Sequence, residues 1–269
     1  DRVAYLLPNL PEMLVAHFAV PLAGAVLVAI NTRLSTDEVR YILDHSGARI
    51  LVVDAALHPV VAPIAGELKT VEEIVTVVDP ANPGDGVGSG VLYTDLLARG
   101  ADDTLVLPWA VEDEEATISI NYTSGTTGKP KGVQYSHRGA YLNSFGEIVH
   151  SSHTTDSVYL WTLPMFHCNG WCTPWAVTMI GGTHVCLREV RGEVIWRLIE
   201  EEGVTHLNGG TDRRHHRGPR PGGEDARPAA GRDHGGRPAE PPPRSSPPRR
   251  WGSGSCTCTG SPRPTARTP

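Results

Sequence analysis

The chain has 269 residues, with 30 acidic and 24 basic side chains giving a formal net charge of −6, and a hydrophobic content of 39%. That balance excludes a strongly basic nucleic-acid binder, and five cysteines in this length suggest a reducing cytoplasm rather than a disulfide framework. The apolar run Phe18–Ile30 is shorter than the about 20 residues a bilayer requires and is interrupted by Pro21, so no integral membrane segment is expected and a buried helix is.

Taken in order, the first 210 residues alternate strand-like and helix-like segments. "RVAYLL" reads as a strand; Pro11 then stands where a first helical turn tolerates it, before "EMLVAHFAV". "STDEVRYILDHSG" opens with Ser35 and Glu38 in capping-box spacing and closes on Gly47. "RILVVD" is a β-branched apolar run suited to a strand buried on both faces, followed by a helical "HPVVAPIAGELK" and the strand "EIVTVVD". "ANPGDGVGSG" is a loop by composition. "TISINYT", "SVYLWTLP", "THVCL" and "VTHLNG" read as further strands, with helices at "RGAYLNSFGEIVH" and "GEVIWRLIEEEG". Such alternation predicts an α/β fold with mostly parallel sheets flanked by helices.

After Gly210 the composition changes. Up to that residue acids exceed bases by about 13, and beyond it bases exceed acids by about 7. Residues 211–269 contain no Val, Ile, Leu, Met, Phe, Tyr or Lys, and Arg and Pro make up roughly a fifth each, so this segment has nothing from which to build a core. We therefore divide the chain into a folded unit at 1–210 and an Arg/Pro/Gly-rich disordered tail at 211–269. A basic arm for anionic surfaces, a linker, and out-of-frame translation of a GC-rich gene are the readings of the tail. The abrupt change directly after the strand-like "VTHLNG" favours the last, and the tail is given no function. The start at Asp1, in mid-strand and without a secretory leader, reads as a cut end.

The chemistry-bearing stretch is "NYTSGTTGKPKGVQYSH", Asn121 to His137. A strand running into "TSGTTGKPKG" puts a Gly-rich turn at a strand end, where open α/β sheets bind ligands. Gly125 and Gly128 let backbone amides approach an anion. Thr123, Ser124, Thr126 and Thr127 add hydroxyls, and Lys129 and Lys131 add charge. Phosphate is the natural guest; a polar hairpin rich in turn residues is the bland alternative. A Walker A loop is excluded, because two residues rather than four separate the glycines and Pro130 follows the lysine.

"YTSGTTGKPKGV" resembles the phosphate-loop signature of the adenylate-forming superfamily, and the resemblance runs from Asp1 to about Asn208. "LPMFHCNGW" (Leu163 to Trp171) and "VAINTRLSTDEVRYIL" resemble most the fatty-acid and medium-chain acid–CoA ligases. The resemblance implies the partial N-terminal domain of an enzyme that joins a carboxylic acid to ATP, releases pyrophosphate, and passes the acyl group to coenzyme A. It implies that Thr123, Ser124, Gly125, Thr126, Thr127, Gly128 and Lys131 hold the β- and γ-phosphates. By the same resemblance Thr123 helps to ligate Mg²⁺, His167 lines the site near the acid's carboxylate, and Trp171 stands at the mouth of the acyl tunnel. Read without it, His167 begins a helix as a packed residue and Trp171 is core.

His150, His153, His167, Cys168 and Cys172 lack the paired spacing of a zinc site, so structural cysteines are expected. The family's later motifs and its mobile C-terminal domain are not present in the sequence. The expectation is an ATP-dependent acid–CoA ligase by descent, here incomplete and poorly active; the alternative is a non-catalytic nucleotide- or acyl-binding module derived from one. No nucleic-acid partner is expected, and a homo-oligomer is left open.

Overall fold

The computed structural model describes residues 1–84, 90–101, 110–123 and 129–209. The glycine-rich turn at 124–128 and the tail from 210 onward lie outside the described residues.

Strand β1 (Arg2–Leu6) sits at the middle of the larger sheet, and its alternation sorts two cores. Tyr5 and Leu7 enter one core with Met13, Ala16 and Val20 of helix α1 (Pro11–Leu22). Ala4 and Leu6 enter the other, with Val39, Ile42 and Leu43 of helix α2 (Thr36–Ser46). Helix α2 has the expected capping box, with Ser35 and Glu38 bonded reciprocally, and ends on Gly47 at φ 64.

Strands β2 (Val26–Ala29), β3 (Ile50–Asp54), β4 (Glu73–Val77), β5 (Val91–Leu92), β6 (Thr117–Thr123) and β7 (Lys131–Ser136) complete this sheet in the order β5-β4-β3-β1-β2-β6-β7. Each pairing is parallel except β6 with β7. Helix α4 (Tyr93–Gly100) packs on β4 and β5, and the short α3 (His58–Val61) packs beside α2. A second, parallel sheet has the order β10-β8-β9, from β8 (Val158–Leu160), β9 (Thr183–Val185) and β10 (His206–Leu207). Its strand β8 sends Tyr159 into the α1 core, together with Trp161 just beyond it, so the two sheets share one interior. Helices α5 (His137–Ser151), α6 (Thr173–Met179) and α7 (Gly192–Glu201) complete the described residues.

The α/β class with mostly parallel sheets is as the sequence predicts. Several segments differ from expectation. Phe18–Ile30 is not one buried helix: α1 stops at Leu22, Gly24 turns at φ 71, and β-branched Val26 and Val28 continue as β2. The expected helix at "HPVVAPIAGELK" is a four-residue α3 between 3-10 turns, because Pro59 and Pro63 interrupt the backbone ladder. "SVYLWTLP" pairs in a strand for only three residues before Pro164. Among the described residues no helix is long and apolar enough to cross a membrane.

Arg188, which follows β9, joins the sheets. It donates in bidentate fashion to Asp54 at 2.7 and 2.9 Å and to Asp79 at 3.1 Å, at the carboxyl ends of β3 and β4. Burial costs of the Asp54 carboxylate are met by this fork.

Candidate active site

Strand β6 carries the site. Its residues alternate between faces: Ile120 and Tyr122 pack toward α2, while Ser119, Asn121 and Thr123 share the opposite face. The partner strand presents Tyr135, Val133 and Lys131 directly across from Ser119, Asn121 and Thr123. Thr123 and Lys131 are thus the last cross-strand pair before the glycine-rich turn, both exposed and on one face. Ser124, Gly125, Thr126, Thr127 and Gly128 lie in the turn outside the described residues, so the structure gives the two ends of the predicted phosphate grip.

The two lysines around Pro130 are used differently. Lys129 Nζ lies 5.8 Å from the ring centroid of Tyr41, whose hydroxyl donates to the Pro130 carbonyl. On the same side, Tyr122 and His45 are joined at 2.8 Å. Lys129 is therefore held against α2 by a cation–π contact. Lys131 projects with Thr123 and has no ion-pair partner among the described residues.

Leu163–Cys172 crosses the Ser119 face and is pinned by amide side chains. Asn9, just after β1, donates to the carbonyls of Trp161 (2.9 Å) and Leu163 (2.8 Å) and accepts from Met165 N–H (2.8 Å). Asn121 donates to the Phe166 carbonyl at 2.8 Å, and Ser119 donates to Asn169 Oδ1 at 2.8 Å. His167, exposed between these two ties, is brought to the face of β6 that bears Thr123.

The sequence predicts that His167 begins a helix; the structure has a left-handed turn instead. Cys168, Asn169, Gly170, Trp171 and Cys172 have φ of 52, 49, 54, 61 and 64°. Each L-residue in that region costs about 1–2 kcal/mol, so the turn persists only where its surroundings over-determine it. Gly170 packs so closely on the Trp161 ring that a Cβ there would stand 2.5 Å from Cζ3. Asn143 of α5 donates to the Trp171 carbonyl at 3.0 Å, and the Ser144 hydroxyl, 2.7 Å from the Ala140 carbonyl, also lies 3.3 Å from the Cys172 carbonyl. The right-handed α6 begins only at Thr173, with Pro174 in its first turn. Trp171 is not core: it is 58% exposed at the turn's outer side.

A groove of about 450 Å³ opens at the carboxyl ends of both sheets, bordered by Asn9, Arg33, Phe166 and Arg188. A larger one, about 640 Å³, runs between α1, α5 and α6 past His17, Tyr141, Ser144 and Trp175. Leu163, Pro164 and Phe166 line the first of these. Burial pushes the Cys172 thiol up to about 11 and the Tyr135 phenol, beside Cys168, up to about 12, so both stay neutral near pH 7. Cys168, Cys172 and Cys186 are free thiols, and no group of three His, Cys, Asp or Glu side chains among the described residues is arranged to hold a metal.

Sequence reasoning named the ends of this arrangement and missed the pins. Asn9, Ser119, Asn121 and Asn169 are all buried. The signal available was the polar series Ser119, Asn121, Thr123 alternating with Ile118, Ile120 and Tyr122: a strand that buries polar groups on one face must give them partners.

A family model described as AMP-binding enzyme matches residues 1–211. A relative, 4-hydroxybutyrate–CoA ligase 2 of Metallosphaera sedula, is 41% identical over 211 residues, covering 77% of this chain and 38% of its own length. The chain thus spans about two-fifths of the length of that curated relative. Among solved structures, a putative long-chain-fatty-acid CoA ligase from Rhodopseudomonas palustris superposes with a TM-score of 0.68 at 26% identity, covering 79% of this chain and 51% of that one. ATP-bound MatB from the same organism gives 0.61 at 26% identity, covering 77% and 38%.

Proposed function

The chain belongs to the AMP-binding enzyme family, and we propose that it is the nucleotide-gripping and acid-contacting part of an ATP-dependent acid–CoA ligase. The observation that supports this best is the placement of Thr123 and Lys131 opposite each other at the mouth of the glycine-rich turn, on the face that also receives His167.

In this reading a carboxylate oxygen of the acid bonds to the α-phosphorus of ATP as the bond to pyrophosphate breaks. Coenzyme A sulfur then bonds to the acyl carbon, and AMP leaves. The first step brings an anion toward a polyanion, so the donors must sit where charge builds on the departing pyrophosphate. The hydroxyls and amides of Ser124–Gly128 hold the β- and γ-phosphates, and Lys131 supplies a cation not committed to another partner. Lys129, engaged with Tyr41, steadies the hairpin instead.

Mg²⁺ fits Thr123, whose exposed hydroxyl is a hard oxygen donor beside the phosphates. The remaining ligands would be nucleotide oxygens and water, the usual manner for this ion. Bound there, it would neutralise phosphate charge. His167 contacts the acid's carboxylate, and Trp171 borders the path of its chain. Carboxylic acids, fatty acids among them, are the substrate class, and the cytoplasm is the location.

A nucleotide-binding module without turnover is the second reading. Acid-dependent exchange of labelled pyrophosphate into ATP tests the two. Exchange with butyrate or a longer acid supports the ligase reading; ATP binding without exchange selects the module; no ATP binding contradicts both.

A further inference from the structure

Residues two apart in an extended chain share a face, so Lys129 and Lys131, separated by Pro130, would by default project together beside Thr123. The structure separates them. The register of β6 with β7 pairs Lys131 with Thr123 and Gly132 with Tyr122, which puts Lys131 on the face away from α2. Lys129 is on the α2 side instead, with Nζ 5.8 Å from the centroid of the Tyr41 ring.

Tyr41 is itself supported. Its ring stacks on His45, one turn further along α2, at 5.2 Å between centroids and 27° between planes. His45 meets the Tyr122 ring edge-on at 5.8 Å, and its Nδ1 lies 2.8 Å from the Tyr122 hydroxyl. The Tyr122 ring reaches over β7 in turn, where a Cβ on Gly132 would stand 3.4 Å from its Cζ. The row Tyr41–His45–Tyr122 therefore meets both feet of the glycine-rich turn. Tyr122 is the residue before Thr123, and Pro130, whose carbonyl accepts from Tyr41 at 3.4 Å, is the residue before Lys131. The base of the row is firm, because Val39, Ile42 and Leu43 of α2 are fully buried. Strand β7 is held less well. It ends the sheet order among the described residues, and Lys131 to Gln134 are all exposed, so burial does not fix where its first residues point.

We propose that Tyr41, steadied by His45, is a positioning residue that selects between the two lysines. Its ring takes the Lys129 ammonium by a cation–π contact and leaves Lys131 as the cation that meets the nucleotide's phosphates. Two ammonium groups crowded at the mouth of one turn would repel each other and compete for the same oxygens. The choice of phosphate partner rests on the ligase reading; the hold on Lys129 does not.

The test uses the full chain, whose lysines are Lys69, Lys129 and Lys131. Reductive methylation with ¹³C-formaldehyde keeps their charge and gives each a methyl resonance. The Lys129 methyls should be shifted upfield by the Tyr41 ring and should stay so in Tyr41→Phe. They should return to the position of an exposed lysine in Tyr41→Leu, and His45→Ala, which removes the stack, should reduce the shift. An ATP analogue with a reactive acyl group on its terminal phosphate then reads the selection. It should label Lys131 about tenfold over Lys129 in the unaltered chain and in Tyr41→Phe, and the two to within about twofold in Tyr41→Leu. An unshifted Lys129 methyl in the unaltered chain overturns the hold. A labelling ratio unchanged in Tyr41→Leu, including an equal fall at both lysines, makes Tyr41 a packing residue and overturns the selection. Labelling of the unaltered chain that excess ATP does not suppress contradicts the phosphate reading and the selection together, while the methyl resonances still decide the hold on Lys129.

Discussion

Thr123 and Lys131 face each other across the antiparallel register of β6 and β7, so the glycine-rich turn leaves the sheet and returns to it at a single cross-strand pair. The Cβ atoms of a hydroxyl-bearing and an ammonium-bearing residue are thereby held about 5 Å apart. Thr123→Val keeps the β-branched shape and removes the oxygen. Loss of one charge-assisted contact, about 1.5–3 kcal/mol, should weaken Mg·ATP binding roughly 10–100-fold, read by calorimetric titration. Lys131→Met should do the same and also reduce the salt dependence of binding. Lys129→Met should have a smaller effect on affinity, because that side chain rests on Tyr41.

Asn9 is the busiest pin, with three hydrogen bonds that tie the end of β1 to the Trp161–Met165 backbone. Asn9→Ala leaves two buried carbonyls and one buried N–H without partners. Urea unfolding should show a loss of about 2–5 kcal/mol. A loss under about 0.5 kcal/mol, the range of ordinary surface changes, would mean that these bonds do not hold the segment.

Two glycines should respond in opposite directions. Gly170→Ala puts a Cβ at 2.5 Å from Trp161 on a residue at φ 54, and should destabilise by more than about 2 kcal/mol. Gly146→Ala lies within α5, where a Cβ meets nothing within 4 Å, and should stabilise by about 0.5–1 kcal/mol. Paired thermal melts of the two variants check both signs.

Acid should destabilise the fold through its histidines. Burial is the largest cause holding His17, His153 and His184 down to about 4, and it lowers His206 as well. In the unfolded chain each titrates near 6.5, so between about 6.5 and 4 the unfolded state binds more protons and stability falls as pH falls. His153 is packed against His206 at 4.5 Å, and neither of its ring nitrogens has a hydrogen-bond partner. The urea midpoint should drop from pH 7 to pH 5, and His153→Phe should make that drop shallower. An equally steep drop in His153→Phe would remove His153 from the cause.

The order of strands and helices was legible because β-branched runs, a capping box and Gly47 each carry a local signal. The hairpin strand β7 was not, since Lys131–Ser136 has little apolar pattern and pairs only because β6 offers it an edge. Nor was the left-handed turn. "HCNGWC" holds one glycine and one asparagine, and nothing local forces five residues to positive φ; the ring of Trp161, Ser119, Asn143 and Ser144 does. The sequence named His167 and Trp171 through resemblance, but their setting depends on tertiary contacts that a local reading does not reach.

The central claim is that the hairpin beginning at Thr123 and ending at Lys131 holds a nucleotide's phosphates. Lys69, Lys129 and Lys131 are the chain's only lysines, so an ATP analogue bearing a reactive acyl group on its terminal phosphate can report which one lies beside it. Digestion and mass spectrometry should find the acyl group on Lys131, with little on Lys129 or Lys69, and excess ATP should suppress it. Labelling spread evenly over all three lysines, or untouched by ATP, would contradict the account.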